Sequence, residues 1–186
     1  RDRADYVGQH LFGMVTGLHH HHAAEDELLW PILLDRVRPH AALVHRMEAQ
    51  HKRLSVHIDR INELLPGWRL TADSVTGREL AAEFAAASAA LNEHLDEEEN
   101  EILPLVSEHI TPAEWQALGD RGMEGLPKNN TAFIFLGLLL RDANEQERRA
   151  FLRLPPAPIR WAWFLFGQRI YRRAYARLYD PVTSQR

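Results

Sequence analysis

The chain has 186 residues, no cysteine and a formal net charge of −4. Without cysteine it can hold neither a disulfide, nor a cysteine-type zinc finger, nor an iron–sulfur cluster, so any metal must be bound by nitrogen and oxygen donors. The mild net charge argues against nucleic acid as a partner. The longest apolar run is residues 132–140, about half of the ~20 residues that a transmembrane helix needs. We therefore expect a cytoplasmic protein without a transmembrane segment.

Apolar residues recur at helical spacing along the whole chain, and no segment shows the alternation typical of a strand. The spacing predicts helices at Asp5 to about Val37, Ala41 to Leu65, Gly77 to about His109, a short helix opening at Thr111-Pro112, Thr131 to about Leu152, and Ile159 to about Tyr179. Pro66-Gly67 should close the second of these, and Trp68 to Thr76 should form a turn. The predicted fold class is all-α.

Breaks late in the chain divide it into two parts. Gly122, Gly125 and Pro127 predict a loop, and the segment from Leu154 to Pro158 predicts a stiff break between the last two helices. We expect a helical metal-binding bundle at residues 1–127 and a helical extension packed on it at residues 128–186.

One motif occurs twice. Residues 21–31 read HHAAEDELLWP and residues 94–104 read HLDEEENEILP. In each copy an imidazole and a carboxylate lie four residues apart, which is one turn apart on one helix face. A single copy would more often be a surface ion pair, but two facing helices with this pattern can assemble a carboxylate-bridged pair of metal ions.

The predicted burial of the second copy supports this interpretation. His94 and Glu98 fall within an apolar stripe, and a buried carboxylate needs a charged partner or a metal to offset its desolvation. His51 lies in the same kind of stripe, between Met47 and Leu54. Imidazole and carboxylate donors at the centre of a bundle favour two ions of the iron or manganese type, and we expect di-iron, ahead of zinc or manganese.

These motifs resemble those of the hemerythrin family, in particular the bacterial hemerythrin-like proteins. The similarity covers about Tyr6 to Trp115 and includes the Met-Glu-x2-His sequence that ends at His51. It implies an up-and-down four-helix bundle of hemerythrin type with additional C-terminal helices. It also implies two iron ions, oxo- or hydroxo-bridged, whose ligands would be His21, Glu25, His51, His94 and Glu98, with Glu25 and Glu98 as the bridging carboxylates.

Two features depart from the family pattern. Members have a further first helix that donates another histidine, and oxygen-carrying members have two histidines one turn apart where this chain has His51 and Ser55. We expect the missing helix to precede Arg1. The alternative is a site with fewer protein ligands, completed by His22, Tyr6 or water.

The resemblance implies a protein that binds or senses dioxygen or a related small molecule such as nitric oxide or peroxide. One alternative is a di-iron enzyme that acts on peroxide, nitric oxide or an organic substrate. Another is a metal-free or zinc-bound helical interaction module that uses its last helix.

The last helix interleaves arginines with aromatic residues, and no acidic residue occurs from Leu152 to Tyr179. This composition suits a protein partner or a membrane surface. Docking of this helix on the acidic bundle is the simpler interpretation.

Overall fold

The computed structural model describes residues 2–124, 131–153 and 157–179. The described residues form helices only, so the predicted all-α class is confirmed. The α-helices are α1 (Asp2–Ala24), α2 (Trp30–Arg36), α3 (Ala41–Thr71), α4 (Ser74–Glu97), α5 (Leu103–His109), α6 (Pro112–Met123), α7 (Thr131–Asp142), α8 (Glu145–Phe151), α9 (Ala157–Ala162) and α10 (Gln168–Tyr179). They belong to two compact units, residues 1–126 and 127–186.

The first unit is an up-and-down bundle. Helix α3 runs antiparallel to α1. Arg69, near the C-terminal end of α3, bonds Asp5 near the start of α1, whereas His51, earlier in α3, bonds Asp26, two residues beyond the end of α1. The turn to α4 takes only two residues, because Asp73 caps α4 by accepting the Thr76 N–H. The shorter helix α6 packs against α1 and begins with a capping box formed by Thr111 and Glu114, which the sequence had predicted as a helix start.

A layer of polar side chains divides the interior of this bundle into two apolar clusters. One cluster lies around Trp30, Leu33, Val44 and Met47, all fully buried, and the other lies around Leu54, Ile58, Ile61, Leu65 and Leu80. Between them lie the buried polar residues of the unit, which are His22, Glu25, Gln50, His51 and His94. Burying five such side chains costs free energy unless each polar atom finds a partner.

Two matching π-helical turns interrupt the helices that carry the repeated motif. Glu25–Leu29 joins α1 to α2, and Glu98–Ile102 joins α4 to α5. Each turn begins at the motif glutamate and closes with a hydrogen bond to that glutamate's carbonyl, from Trp30 and Leu103 respectively. The proline that follows each turn, Pro31 or Pro104, has no N–H to complete a regular helix, which favours the wider turn.

Three predicted boundaries are wrong. Helix α3 continues through Pro66 to Thr71 because Leu65 and Trp68 extend its apolar face, and this packing outweighs the one hydrogen bond that proline removes. Helix α4 starts at Ser74, so the predicted turn is shorter. The helix predicted over Thr131–Leu152 is two helices, because Asn144 and Glu147 form a capping box. Gly125, Pro127 and residues 154–156 of the predicted breaks lie outside the described residues.

In the second unit, helix α7 runs parallel to the helix formed by α9, a π-helical turn at Trp163–Gly167, and α10. Phe133 contacts the rings of Trp163 and Phe166, and eight residues later Arg141 donates to the Tyr175 hydroxyl. The two helices approach so closely that a Cβ on Gly137 would overlap the Tyr171 ring. Among the described residues, no helix combines the length and apolarity needed to span a membrane.

Candidate metal centre

The five predicted site residues meet in the polar layer of the first unit. The two π-helical turns place Glu25 and Glu98 beside each other, and α3 contributes His51. The Glu25 carboxylate lies between two imidazoles, with its Oε1 3.4 Å from His21 Nε2 and its Oε2 3.5 Å from His51 Nε2. His94 Nε2 lies 3.4 Å from His51 Nε2 and 3.7 Å from Glu98 Oε2.

The donor atoms form two groups that share Glu25. In the first group, atoms of His22, Glu25, His51 and His94 all lie within 4.8 Å of one another; in the second, the same limit holds for His21, Glu25 and Glu98. The first group is buried. The second is partly open, because the His21 side chain is 51% exposed and that of Glu98 is 12% exposed. A carboxylate common to both groups can bridge two cations.

Two atoms of the first group show that a cation fits there. His22 Nε2 and Glu25 Oε2 are buried and have no hydrogen-bond partner among the described residues. Buried polar atoms are nearly always paired, and an unpaired carboxylate oxygen beside an unpaired imidazole nitrogen is costly. A bound cation would satisfy both atoms at once.

Burial and neighbouring groups shift the pKa values of several of the donor side chains. Burial and the neighbouring imidazoles lower the pKa of His22 to about 2, and burial, with His51 nearby, lowers the pKa of His94. Both rings are therefore neutral near pH 7, which is the form that binds metal. Burial and the adjacent Glu98 raise the pKa of Glu25 to about 9, so Glu25 holds a proton near pH 7 where no cation is bound.

Hydrogen bonds from the far side of two rings fix their orientation. Asp26 Oδ1 accepts from His51 Nδ1 at 2.8 Å and also from the Trp30 indole at 2.9 Å. Gln50 Oε1 accepts from His94 Nδ1 at 3.0 Å, and its amide nitrogen donates to Glu97. With Nδ1 as the donor, each ring presents an unprotonated Nε2 to the centre of the site.

Sequence reasoning missed these supporting residues. Glu48 lies one helical turn before His51, but its carboxylate bonds His45, and the partner of His51 is Asp26. Asp26 directly follows Glu25 and lies in the π-helical turn, whose wider winding departs from the regular helical spacing on which the prediction rests. The sequence pattern gives His22 only as an alternative donor, yet its side chain is buried whereas that of His21 is 51% exposed.

Replacing Asp26 with alanine will weaken cation binding by about 10–100-fold, which is the usual cost of losing a hydrogen bond that orients a ligand imidazole. His51 would keep its place but lose the acceptor that fixes its tautomer. Competition against a chromogenic chelator measures the change. Glu27→Ala removes a neighbouring exposed carboxylate that pairs with Arg121 instead, and its affinity should match the wild type. Equal losses in both variants would contradict the assigned role of Asp26.

Comparison with known proteins gives one result. A family model described as "Hemerythrin HHE cation binding domain" matches residues 3–106, more than half of the chain and all of the residues discussed above as donors. Neither the curated proteins nor the solved structures contain a significant match. The matched region spans both copies of the repeated motif and the helix that carries His51.

Proposed function

Because the chain belongs to the hemerythrin HHE cation-binding domain family, we propose that it binds two iron ions side by side and uses them to bind or sense a small molecule. The observation that carries this proposal is the position of Glu25 in both donor groups. A carboxylate buried to 98% in a helical bundle, with imidazoles next to each oxygen, is the arrangement by which such bundles hold paired metals.

The two cations would have different surroundings. One would take imidazole nitrogens from His22, His51 and His94 together with a Glu25 oxygen, and it would be enclosed. The other would take His21, Glu98 and the second Glu25 oxygen, next to a half-exposed side chain. Having fewer protein donors, the second position keeps room for an exogenous ligand.

The donor set narrows the choice of metal and ligand. Nitrogen and oxygen donors without thiolate suit iron, manganese and zinc, and the shared carboxylate favours iron or manganese over zinc. Bound iron supplies reversible redox change and open positions for a diatomic molecule or peroxide. Dioxygen, nitric oxide and peroxide are small enough to enter beside His21, and we propose dioxygen or one of these relatives as the ligand.

The full chain, loaded anaerobically with ferrous iron, tests this function. Metal analysis should give about two iron ions per chain. Exposure to dioxygen should then produce a near-ultraviolet absorption band and an uptake that saturates at a stoichiometric amount. Continued consumption beyond one equivalent would instead support the enzyme alternative. A chain that takes up zinc but no iron, with no spectral change, would overturn the proposal.

Cation affinity will rise with pH from about 6.5 to about 9 and then level off. Glu25 holds a proton below its raised pKa of about 9, and the cation must displace that proton. His22, with its pKa of about 2, is already neutral and contributes no proton across this range. Zinc titrations at several pH values in buffers of different ionisation enthalpy will report the proton released. An affinity that does not change over this range would contradict the protonated state of Glu25.

A further inference from the structure

Charge is divided very unevenly between the two units. Residues 1–126 contain 22 acidic and 11 basic residues, whereas residues 127–186 contain four acidic and 11 basic residues. The net charge is therefore −11 for the first unit and +7 for the second. Such an excess of positive charge makes residues 127–186 suited to an anionic partner.

The helical stretch at residues 157–179 combines that positive charge with exposed apolar surface. Five of its six large exposed hydrophobic side chains lie within residues 159–166: Ile159 at 48%, Trp161 at 67%, Phe164 at 54%, Leu165 at 76% and Phe166 at 46% exposure; the sixth is Tyr179 at 55%. The first unit also has exposed apolar residues, but they are scattered over several helices. Five within eight residues is a local concentration of exposed apolar side chains that is unusual on a protein surface in contact with water, and we call it the aromatic patch.

Arginines lie within this patch and on its C-terminal side. Arg160 lies within it, and Arg169, Arg172, Arg173 and Arg177 follow it, with no acidic residue between 157 and 179. Arg169 and Arg173 have exposed side chains and no carboxylate partner among the described residues. Because α7 runs parallel to this stretch, Phe133 and the aromatic patch lie toward one end of the pair and Arg141 lies with the arginines toward the other.

We propose that residues 157–179 bind the surface of a lipid bilayer that contains anionic lipids. Trp161, Phe164 and Leu165 would enter the boundary between headgroups and acyl chains, and the arginines would contact the lipid phosphates. Aromatic rings and arginine side chains both suit this boundary, since each has an apolar body and a polar or charged end. The stretch lies on the membrane and does not cross it, in agreement with the absence of a spanning helix among the described residues.

Charge and apolar surface together favour an anionic bilayer over two other partners, a second copy of the chain and nucleic acid. A second copy docked patch to patch would cover the apolar side chains but would offer the arginines no acidic partner from the same stretch, since residues 157–179 contain none. Nucleic acid would satisfy the arginines but would leave Ile159 and Leu165 without a suitable contact, because aliphatic side chains contribute little to binding a phosphate backbone. An anionic bilayer satisfies both the charge and the apolar surface.

Vesicle sedimentation with the full chain tests the proposal. Vesicles of phosphatidylcholine with about one-third phosphatidylglycerol should sediment the protein, while pure phosphatidylcholine should bind it at least tenfold more weakly. Raising the salt concentration to about 1 M should weaken binding to the anionic vesicles, because it screens the arginines. Equal binding to both vesicle types, or to neither, would overturn the proposal.

Matched variants locate the binding surface. The double variant Trp161→Ser, Leu165→Ser should partition roughly tenfold less, and Arg169→Ala, Arg173→Ala should lose about fivefold per arginine on anionic vesicles. The control Leu70→Ser, Val75→Ser removes comparably exposed apolar side chains from the first unit and should bind like the wild type. All these side chains are exposed, so each variant should retain its helical circular dichroism.

Two other outcomes would also overturn the proposal. One is concentration-dependent dimerisation, abolished by Trp161→Ser, without vesicle binding, since the patch would then serve a second copy. The other is a loss of vesicle binding in the control variant equal to that of the patch variant. Neither result depends on whether iron is bound, so the proposed metal function can fail while this proposal stands.

Discussion

Replacing Glu25 with glutamine will remove both cations from the protein. The carboxylate belongs to both donor groups, with one oxygen toward His21 and the other toward His51, so neither group retains a negative charge at its shared position. Glutamine keeps the shape of the side chain but presents a neutral amide, a much weaker ligand for a divalent ion. Metal analysis of protein loaded with excess ferrous iron should fall from about two ions per chain to well below one.

Two companion variants make this result specific. Glu98→Gln removes a ligand from the second group alone, so it should leave about one ion per chain, bound at the enclosed position. Glu99→Gln changes the adjacent, exposed glutamate and should bind like the wild type. If Glu25→Gln and Glu98→Gln lose the same amount of metal, Glu25 does not bridge.

Chelating the proposed cations will lower the free energy of unfolding by about 4 kcal/mol for each cation whose starting concentration is a thousandfold above its dissociation constant. The folded chain brings donors from three helices together, and the unfolded chain does not, so binding favours the folded state. Urea unfolding followed by circular dichroism, with and without a chelator, measures the difference. Equal midpoints under the two conditions would show that no cation binds selectively to the folded protein.

The same site should destabilise the protein when no cation is bound. Glu25→Leu replaces a buried carboxyl, one of whose oxygens lacks a hydrogen-bond partner, with a side chain that suits the flanking apolar clusters. In the presence of chelator this variant should be more stable than the wild type by roughly 1–3 kcal/mol. In excess cation the order should reverse. A variant that is less stable in both conditions would mean that Glu25 has a structural role without metal.

Much of the site was predictable because the repeated motif encodes it locally. A histidine and a glutamate four residues apart share a helix face whatever the rest of the fold does, and His51 occupies an apolar stripe that has to face inward. His22 and Asp26 were harder to assign because they neighbour His21 and Glu25. Asp26 lies within the π-helical turn at Glu25–Leu29, which helical spacing of 3.6 residues per turn does not describe.

Helix ends were less predictable than helix faces. Pro66 predicts that α3 ends there, but the packing of Leu65 and Trp68 against the neighbouring helices keeps the helix going to Thr71. That packing depends on the tertiary fold, so local sequence does not reveal it. The break at Asn144 is different, because Asn144-x2-Glu147 is a capping signal that the sequence itself contains. Apolar spacing on either side of it favours one continuous helix, but the capping signal is the stronger of the two.

The polar layer between the two apolar clusters has a consequence for how the first unit opens. Each cluster packs on its own side of that layer, and apart from the continuous helix α3 the two sides meet, when no cation is bound, only across a layer of imidazoles and a protonated carboxyl. Amide hydrogen exchange should then report two separate protection levels, one for each side, because either side can open while the other stays closed. A cation held by donors from α1, α3 and α4 couples the two sides, and exchange should become slower and uniform across all three helices.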